Sequence, residues 1–177
     1  MKRIHLFALL FLVSLFSIAP ARGQVGVYAN FSATTLNVPN ETGWIYGPTF
    51  GIYDDRFHLP VVNFGVDARG EVLGSGGSEQ VYGGLVGPRA VFHLPVLPLH
   101  PYAEVLGGAA RVQVGQGSAL RRGTFLNYSV LGGLDLTFFP RLDWRVIEYS
   151  YGGFPGLNQG TNQQTVSMGL VFRLPIP

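Results

Sequence analysis

The chain has 177 residues, of which 47% are hydrophobic and 12% charged, with a formal net charge of +2 and no cysteine. Disulfides are therefore excluded, and the absence of a basic run with interleaved aromatic residues argues against nucleic-acid binding. The 25 glycines and 12 prolines also disfavour long helices.

The first residues have the pattern of a secretory signal peptide. Lys2 and Arg3 precede a short apolar run that ends in a small-x-small cleavage site at Gly23. We expect a signal peptide over 1–23 and a single mature domain over 24–177. The alternative is an uncleaved anchor helix, which is disfavoured because the apolar run is short for a span of about 20 residues.

The mature domain is apolar but lacks a candidate spanning helix. Without the leader, nine arginines, no lysine and ten acids leave a net charge of −1. No mature segment reaches the roughly 18 consecutive apolar residues that indicate a transmembrane helix. For an exported apolar chain this leaves the closed β-barrel, which pairs every backbone group inside the membrane.

Alternation with a period of two predicts the strands. In residues 124–138, Leu126 and Val130 fall on an apolar parity, whereas Asn127 and Ser129 fall on a polar one. Such a run matches the roughly 9–11 residues of a transmembrane strand. We predict an all-β fold, an eight-stranded antiparallel up-and-down transmembrane barrel. Its strands are 25–36, 44–53, 61–71, 80–92, 101–112, 124–138, 142–151 and 164–174.

The connections between these strands alternate in composition. Four are polar or glycine-rich and three are marked by proline and bulky residues. Because an exported N-terminus begins on the periplasmic side, we expect the polar loops outside and the proline turns in the periplasm. The polar loops are 37–43, 72–79, 113–123 and 152–163, and the turns are 54–60, 93–100 and 139–141.

Some strand residues depart from the regular pattern. Pro48 and Pro88 lie inside strands on the outward parity, and proline cannot donate to a ladder, so we expect local bulges there. Arg145 and Glu148 fall on opposite parities of one strand, which predicts a bulge or a rim position. Aromatic residues near both strand ends predict two girdles, with Tyr53, Tyr102, Trp144 and others at the periplasmic one and Phe125, Trp44 and others at the outer one.

Charged residues cluster on the inward parity. Opposite charges in a narrow lumen should pair, because an unpaired buried charge is very costly. We interpret them as an ion-pair network that plugs the lumen; the alternative is a narrow gated pore, since eight strands enclose only enough space for side chains. The predicted network residues are Asp67, Arg69, Glu71, Arg89, Glu104, Asp135, Arg145 and Arg173.

Other candidate sites are weaker. His58, His93 and His100 lie in predicted periplasmic turns without a serine or acid at a catalytic spacing, and we predict no catalytic, metal or cofactor site. Arg121 and Arg122, in an outer loop, are candidates for contact with lipopolysaccharide phosphates; the alternative is that they are solvated loop arginines.

Several runs carry a family resemblance. The segments 82–92 (YGGLVGPRAVF), 101–112 (PYAEVLGGAARV), 130–151 and 166–174 resemble small outer-membrane β-barrel proteins of the OmpA-like transmembrane type, especially the acidobacterial type. The resemblance implies an eight-stranded, porin-like barrel of a Gram-negative outer membrane, usually without assigned activity. It also implies the barrel assembly machinery as a partner, although Phe172 is followed by five further residues where such barrels commonly end on an aromatic.

These observations predict a non-enzymatic, monomeric outer-membrane barrel with a structural or surface-interaction role, in contact with outer-membrane lipid and lipopolysaccharide. Two alternatives remain. One is an outer-membrane enzyme that modifies lipid A, which needs a His/Ser-type constellation near the outer leaflet. The other is a soluble lipocalin-like binder of an apolar ligand, which needs the apolar parity inside.

Overall fold

The computed structural model describes residues 24–38, 41–75, 79–94, 97–114, 121–157 and 161–174. In these ranges the chain forms one closed, antiparallel, eight-stranded barrel in sequence order, and none of the described residues forms a helix able to cross a membrane. The predicted fold class is confirmed; the signal peptide and its cleavage site lie outside the described residues. The strands are β1 (Gln24–Val38), β2 (Glu41–His58), β3 (Val62–Gly74), β4 (Gln80–Phe92), β5 (Leu99–Val114), β6 (Arg121–Phe139), β7 (Leu142–Phe154) and β8 (Thr161–Arg173).

Most strands are longer than the sequence predicts. β2 has 18 residues and β6 has 19, against the roughly 9–11 that cross a bilayer. Pairing of β1 with β2 continues to Val38 and Glu41, so most of the predicted loop 37–43 is strand. Backbone hydrogen bonding does not stop where the apolar pattern stops, and the barrel extends beyond the apolar band of its wall.

The two ends of the barrel differ. The turn end carries Gln24 and the tight turn at Pro140–Arg141, in which Arg141 has a φ of 72°. The loop end carries the connections β1–β2, β3–β4, β5–β6 and β7–β8, whose central residues lie outside the described ranges. The alternation of connections predicted from composition thus corresponds to these two ends.

The two faces of each strand follow the predicted parity. Leu126 is 73% exposed on the outer wall, whereas Asn127 beside it is 4% exposed and faces the lumen. Large apolar side chains cover the outside, and the inside is largely polar, which is the reverse of a soluble barrel.

The prediction of bulges at the two prolines is wrong. Pro48 and Pro88 lie on the outer face, but the register is the same on either side of each, and the ladder to the next strand simply omits the Gly-Pro pair. A Cβ on Gly47 or Gly87 would collide with a backbone carbonyl oxygen of that next strand. Glycine lets the strands approach closely, and the missing proline donor interrupts pairing without adding a residue.

The bulge predicted in β7 is confirmed. The register of β7 against β8 shifts between Arg145 and Glu148, and that of β6 against β7 shifts between Leu134 and Asp135. Two residues three apart normally face opposite sides of a strand. The extra residue turns both side chains into the lumen, where Arg145 is 0% and Glu148 1% exposed.

The predicted aromatic girdles need correction at three positions. Tyr53 and Tyr102 are buried in the lumen, and Phe125 packs against a buried apolar cluster at the loop end. Trp44 and Trp144 do face outward. Both tyrosines lie on the inward parity of their strands, and the hydroxyl group of Tyr102 donates to Glu148.

An apolar cluster fills the lumen at the loop end. Its members come from six strands and from the start of the β7–β8 connection, and all are at most 3% exposed. Between this cap and the charged centre lies a polar layer, in which Ser32 bonds Thr49 and Ser167, and Thr34 bonds Thr165. The apolar cap consists of Leu36, Ile45, Leu73, Val81, Ala110, Val112, Phe154 and Leu157.

Candidate functional site

The centre of the lumen is organised around Arg69 of β3. Its guanidinium group donates to both carboxylate oxygens of Glu148, at 2.8 and 3.0 Å, and to Glu104 at 3.1 Å. Its Nε lies 3.7 Å from Asp67 Oδ1. Arg69 therefore joins β3, β5 and β7 across the barrel through charge-assisted hydrogen bonds.

Arg89 and Arg145 extend this arrangement toward the turn end. Arg89 donates to Glu104 and lies 3.5 Å from Asp135 Oδ2. Arg145 donates to Asp135 at 2.9 Å and to Glu148 at 3.1 Å. Glu104, Asp135 and Glu148 each contact two arginines, so the three guanidinium groups and their carboxylates form one connected network.

Tyrosine rings surround the guanidinium groups. The Arg89 guanidinium carbon lies 4.2 Å from the ring centroids of both Tyr53 and Tyr102. The Tyr102 hydroxyl donates to Glu148 at 2.6 Å, and the Tyr28 hydroxyl donates to Asp67 at 2.9 Å. Cation–π contact and hydrogen bonding together give the buried charges partners that water supplies elsewhere.

Two of the eight residues predicted for the lumen network lie apart from it. Glu71 is buried in the polar layer, makes no ion pair among the described residues, and has one carboxylate oxygen without a hydrogen-bond partner. Arg173 lies at the turn end, where it contacts Asp143 at 2.5 Å and donates to Thr137 at 2.7 Å. The other six, Asp67, Arg69, Arg89, Glu104, Asp135 and Arg145, are brought together.

Sequence reasoning missed several members of the network. Glu148 faces the lumen only because of the bulge in β7. The sequence left open whether Arg145 or Glu148 lies at the rim, and the register shows that both face the lumen. Asp55, placed in a turn by the sequence, is a β2 residue whose carboxylate lies 3.6 Å from Arg89. The inward parity of Tyr28, Tyr53 and Tyr102 was the readable signal for the tyrosines.

The histidines lie at the turn end of the barrel. The rings of His93 and His100 meet edge to face with centroids 5.4 Å apart. Burial, together with the positive charges of His100 and Arg173, lowers the pKa of His93 below its usual value. Within the described ranges no three metal-ligating side chains form a metal site, and no hydrogen bond joins His58, His93 or His100 to a serine or an acidic side chain.

The arginines considered for lipopolysaccharide lie at the loop end. Arg122 is exposed on the outer face of β6; Arg121 belongs to the same strand, and its side chain lies outside the described residues. Arg111 of β5 is exposed beside Arg122. A small pocket of about 20 Å³ lies among Arg111, Arg122 and neighbouring polar side chains.

Comparison with known proteins shows the fold. No protein-family model matches the chain, and no curated protein matches it. Among solved structures, the neisserial surface protein NspA is 16% identical with a TM-score of 0.63, and Ail, the attachment invasion locus protein of Yersinia pestis, is 13% identical with a TM-score of 0.59; each alignment covers 87% of this chain and all of the other. The outer-membrane enzyme PagL is 18% identical with a TM-score of 0.50, over 85% of this chain and 99% of that one. The chain therefore shares the architecture of small outer-membrane barrels.

Proposed function

We propose that this protein is an integral barrel of a bacterial outer membrane, without catalytic activity, that has a structural or surface-interaction role. One observation carries the proposal. The barrel wall is apolar outside and charged inside, with Leu126 and Val130 exposed and Arg145 and Asp135 buried. Only a membrane gives such a wall an apolar surrounding, and an arginine at mid-bilayer on the outer face costs roughly 2–4 kcal/mol.

The filled lumen favours a plugged barrel over a pore. The charged network crosses the lumen from β3 to β7, and the apolar cap closes it at the loop end. Because a hydrated path needs polar lining and open space, this arrangement supports a structural or surface role rather than conduction. The surface role belongs to the loop end, because an exported chain begins on the periplasmic side and Gln24 lies at the turn end.

The alternatives fit the geometry less well. The enzyme PagL shares the architecture, but a lipid-modifying enzyme needs its catalytic group near the outer leaflet, whereas His93 and His100 lie at the turn end. A lipocalin-like binder needs an apolar cavity, whereas the central lumen holds Arg69, Arg89 and Arg145. The proposal also includes a monomeric state, insertion by the barrel assembly machinery, and contact of Arg121 and Arg122 with lipopolysaccharide.

Membrane fractionation combined with gel electrophoresis of unboiled and boiled samples tests this proposal. We expect recovery in the outer-membrane fraction and a mobility shift on boiling, because a folded membrane barrel resists detergent until heated. A soluble protein without a shift contradicts the proposal and favours the lipocalin-like binder.

A further inference from the structure

Two glycines of the outer wall are not explained by the packing of the barrel. At Gly47 and Gly87 an added Cβ would strike a neighbouring backbone, so those positions require glycine. At Gly84 and Gly107 an added Cβ would meet nothing within 4 Å, and among the described glycines these are the two for which this holds. Glycine weakens a strand and often marks a place where a ligand approaches closely.

Gly84 and Gly107 lie on an open groove of about 490 Å³ in the outer wall of β2 to β5. Small residues form its floor, and larger apolar side chains stand beside it. Apart from the two glycines, the outward-facing residues that line it are Phe50, Ile52, Ala68, Gly70 and Val86. Such a surface fits a hydrocarbon chain, which needs apolar contact and no hydrogen bonds.

A pair of arginines lies next to the groove on the side of the loop end. In the register, Gln113 faces Arg122, and Arg111 faces Thr124, so the two arginines are diagonal neighbours across β5 and β6. Diagonal neighbours of this kind are about 7–8 Å apart at Cα, within reach of long side chains. Neither arginine forms an ion pair with an acid of the described residues.

The arginine pair frames a pocket that suits an anion. Gln80, Tyr82 and Gln113 line the pocket with Arg111 and Arg122. Adjacent guanidinium groups repel each other unless an anion lies between them, and their fork geometry matches phosphate oxygens. The position is outside the barrel, so the anion must come from the surroundings of the wall.

The pocket and the groove are continuous along the strands. Tyr82 pairs with Arg111, and the next outward pair toward the turn end is Gly84 with Ala109, where the groove begins. One such step is two residues, or about 7 Å. A molecule that joins a phosphate to a hydrocarbon chain can therefore occupy both at once.

We propose that this surface, the lipid strip, binds one phosphorylated lipid of the outer leaflet, lipid A, with a phosphate between Arg111 and Arg122 and an acyl chain over Gly84 and Gly107. The inference rests on the proposed function, because it requires the loop end to lie in the outer leaflet. A second copy of the chain fits less well, since a two-fold contact through this strip brings like charges together.

Native mass spectrometry of the folded, detergent-solubilised protein titrated with lipid A tests the inference. We expect one tightly bound lipid A. The double variant Arg111→Gln/Arg122→Gln should bind at least about tenfold more weakly, because charge-assisted hydrogen bonds to phosphate are lost. Gly84→Leu/Gly107→Leu should also lose binding, because the new side chains fill the groove while their Cβ atoms meet nothing within 4 Å.

Two control variants make the same kinds of substitution, a lost arginine and a glycine replaced by leucine, at positions outside the lipid strip. Arg56→Gln removes an exposed arginine at the turn end, and Gly132→Leu adds an outward side chain outside the groove, where a Cβ makes only an ordinary 3.6 Å contact. Both should bind lipid A like the unaltered protein. Dephosphorylated lipid A should bind to the unaltered protein as weakly as lipid A binds to the arginine variant. Glucosamine phosphate without acyl chains should bind weakly to every protein.

Several outcomes overturn the inference. These are equal lipid A binding by all variants, equally tight binding of phosphatidylglycerol, or a dimer that the leucine variant abolishes. The mobility shift on boiling is recorded for every sample, so a loss of binding counts only in a folded barrel. A folded outer-membrane protein without selective lipid A binding refutes the lipid strip and leaves the proposed function intact; a soluble protein without a shift refutes the proposed function itself.

Discussion

Arg69 and Glu148 are 79 residues apart in the chain, yet their side chains meet across the lumen through two hydrogen bonds of 2.8 and 3.0 Å. Glu148 also accepts from Arg145 and from Tyr102. This one carboxylate therefore links β3, β5 and β7.

Replacing Glu148 by glutamine should destabilise the barrel strongly. Two buried guanidinium groups, on Arg69 and Arg145, lose a charged partner, and breaking a buried pair costs about 3–5 kcal/mol. The measurement is urea unfolding in lipid vesicles, followed by tryptophan fluorescence. The matched control is Asp54→Asn, which breaks the exposed pair with Arg56 and should change stability by about 0–1 kcal/mol. Equal effects of the two substitutions would contradict a central role for Glu148.

Deleting Val146 should remove the bulge of β7. Leu134 pairs with Ile147 and Asp135 with Arg145, so Val146 is the additional residue between them. Without it, Arg145 and Glu148 lie two residues apart, so a regular strand keeps both in the lumen and its register becomes uniform against both β6 and β8. We expect the deletion variant to keep most of the heat-modifiable band on unboiled gels.

The substitution Val146→Ala is the control for that deletion. It keeps the additional residue and should leave most of the protein in the heat-modifiable form. A deletion variant that loses the heat-modifiable band while Val146→Ala keeps it would contradict this prediction and show that the barrel requires the bulge.

Gly87 and Gly107 should respond differently to alanine. A Cβ on Gly87 meets a backbone carbonyl of β5, so Gly87→Ala should cost about 1–3 kcal/mol of unfolding free energy through overpacking. Gly107→Ala places its Cβ in open space on the outer wall and should be neutral or slightly stabilising. The two unfolding curves in vesicles give the comparison. If Gly87→Ala were as stable as Gly107→Ala, β4 and β5 would not need to approach closely at Gly87, and the prediction would be wrong.

Protonation of His93 should weaken the turn end. Because the folded protein lowers the pKa of His93, the unfolded chain takes up this proton first as the pH falls. The contribution of neutral His93 is fully present above about pH 6.5 and declines below it. Unfolding midpoints between pH 8 and pH 5 should fall less in His93→Gln than in the unaltered protein, since glutamine does not titrate. An identical pH profile in both proteins would exclude His93 as a contributor.

Much of the architecture followed from the sequence because a strand has a period of two and a membrane barrel has two unlike faces. The outward Leu126 and Val130 and the inward Asn127 were readable at once, and so was the even number of strands. The inward parity also placed Asp67, Arg69 and Arg89 in the lumen. The local pattern was sufficient for these residues because, in every strand of a membrane barrel, apolar outward residues alternate with polar inward ones.

Only the tertiary structure decided which side chains meet. Asp67 and Glu71 share a face of β3, but only Asp67 reaches Arg69, and Glu148 joins the network through a bulge whose register depends on two neighbouring strands. Across a closed barrel, residues distant in sequence are brought together by strand tilt and stagger. A one-dimensional pattern gives the face of a residue but neither its height in the lumen nor its partner on the opposite wall.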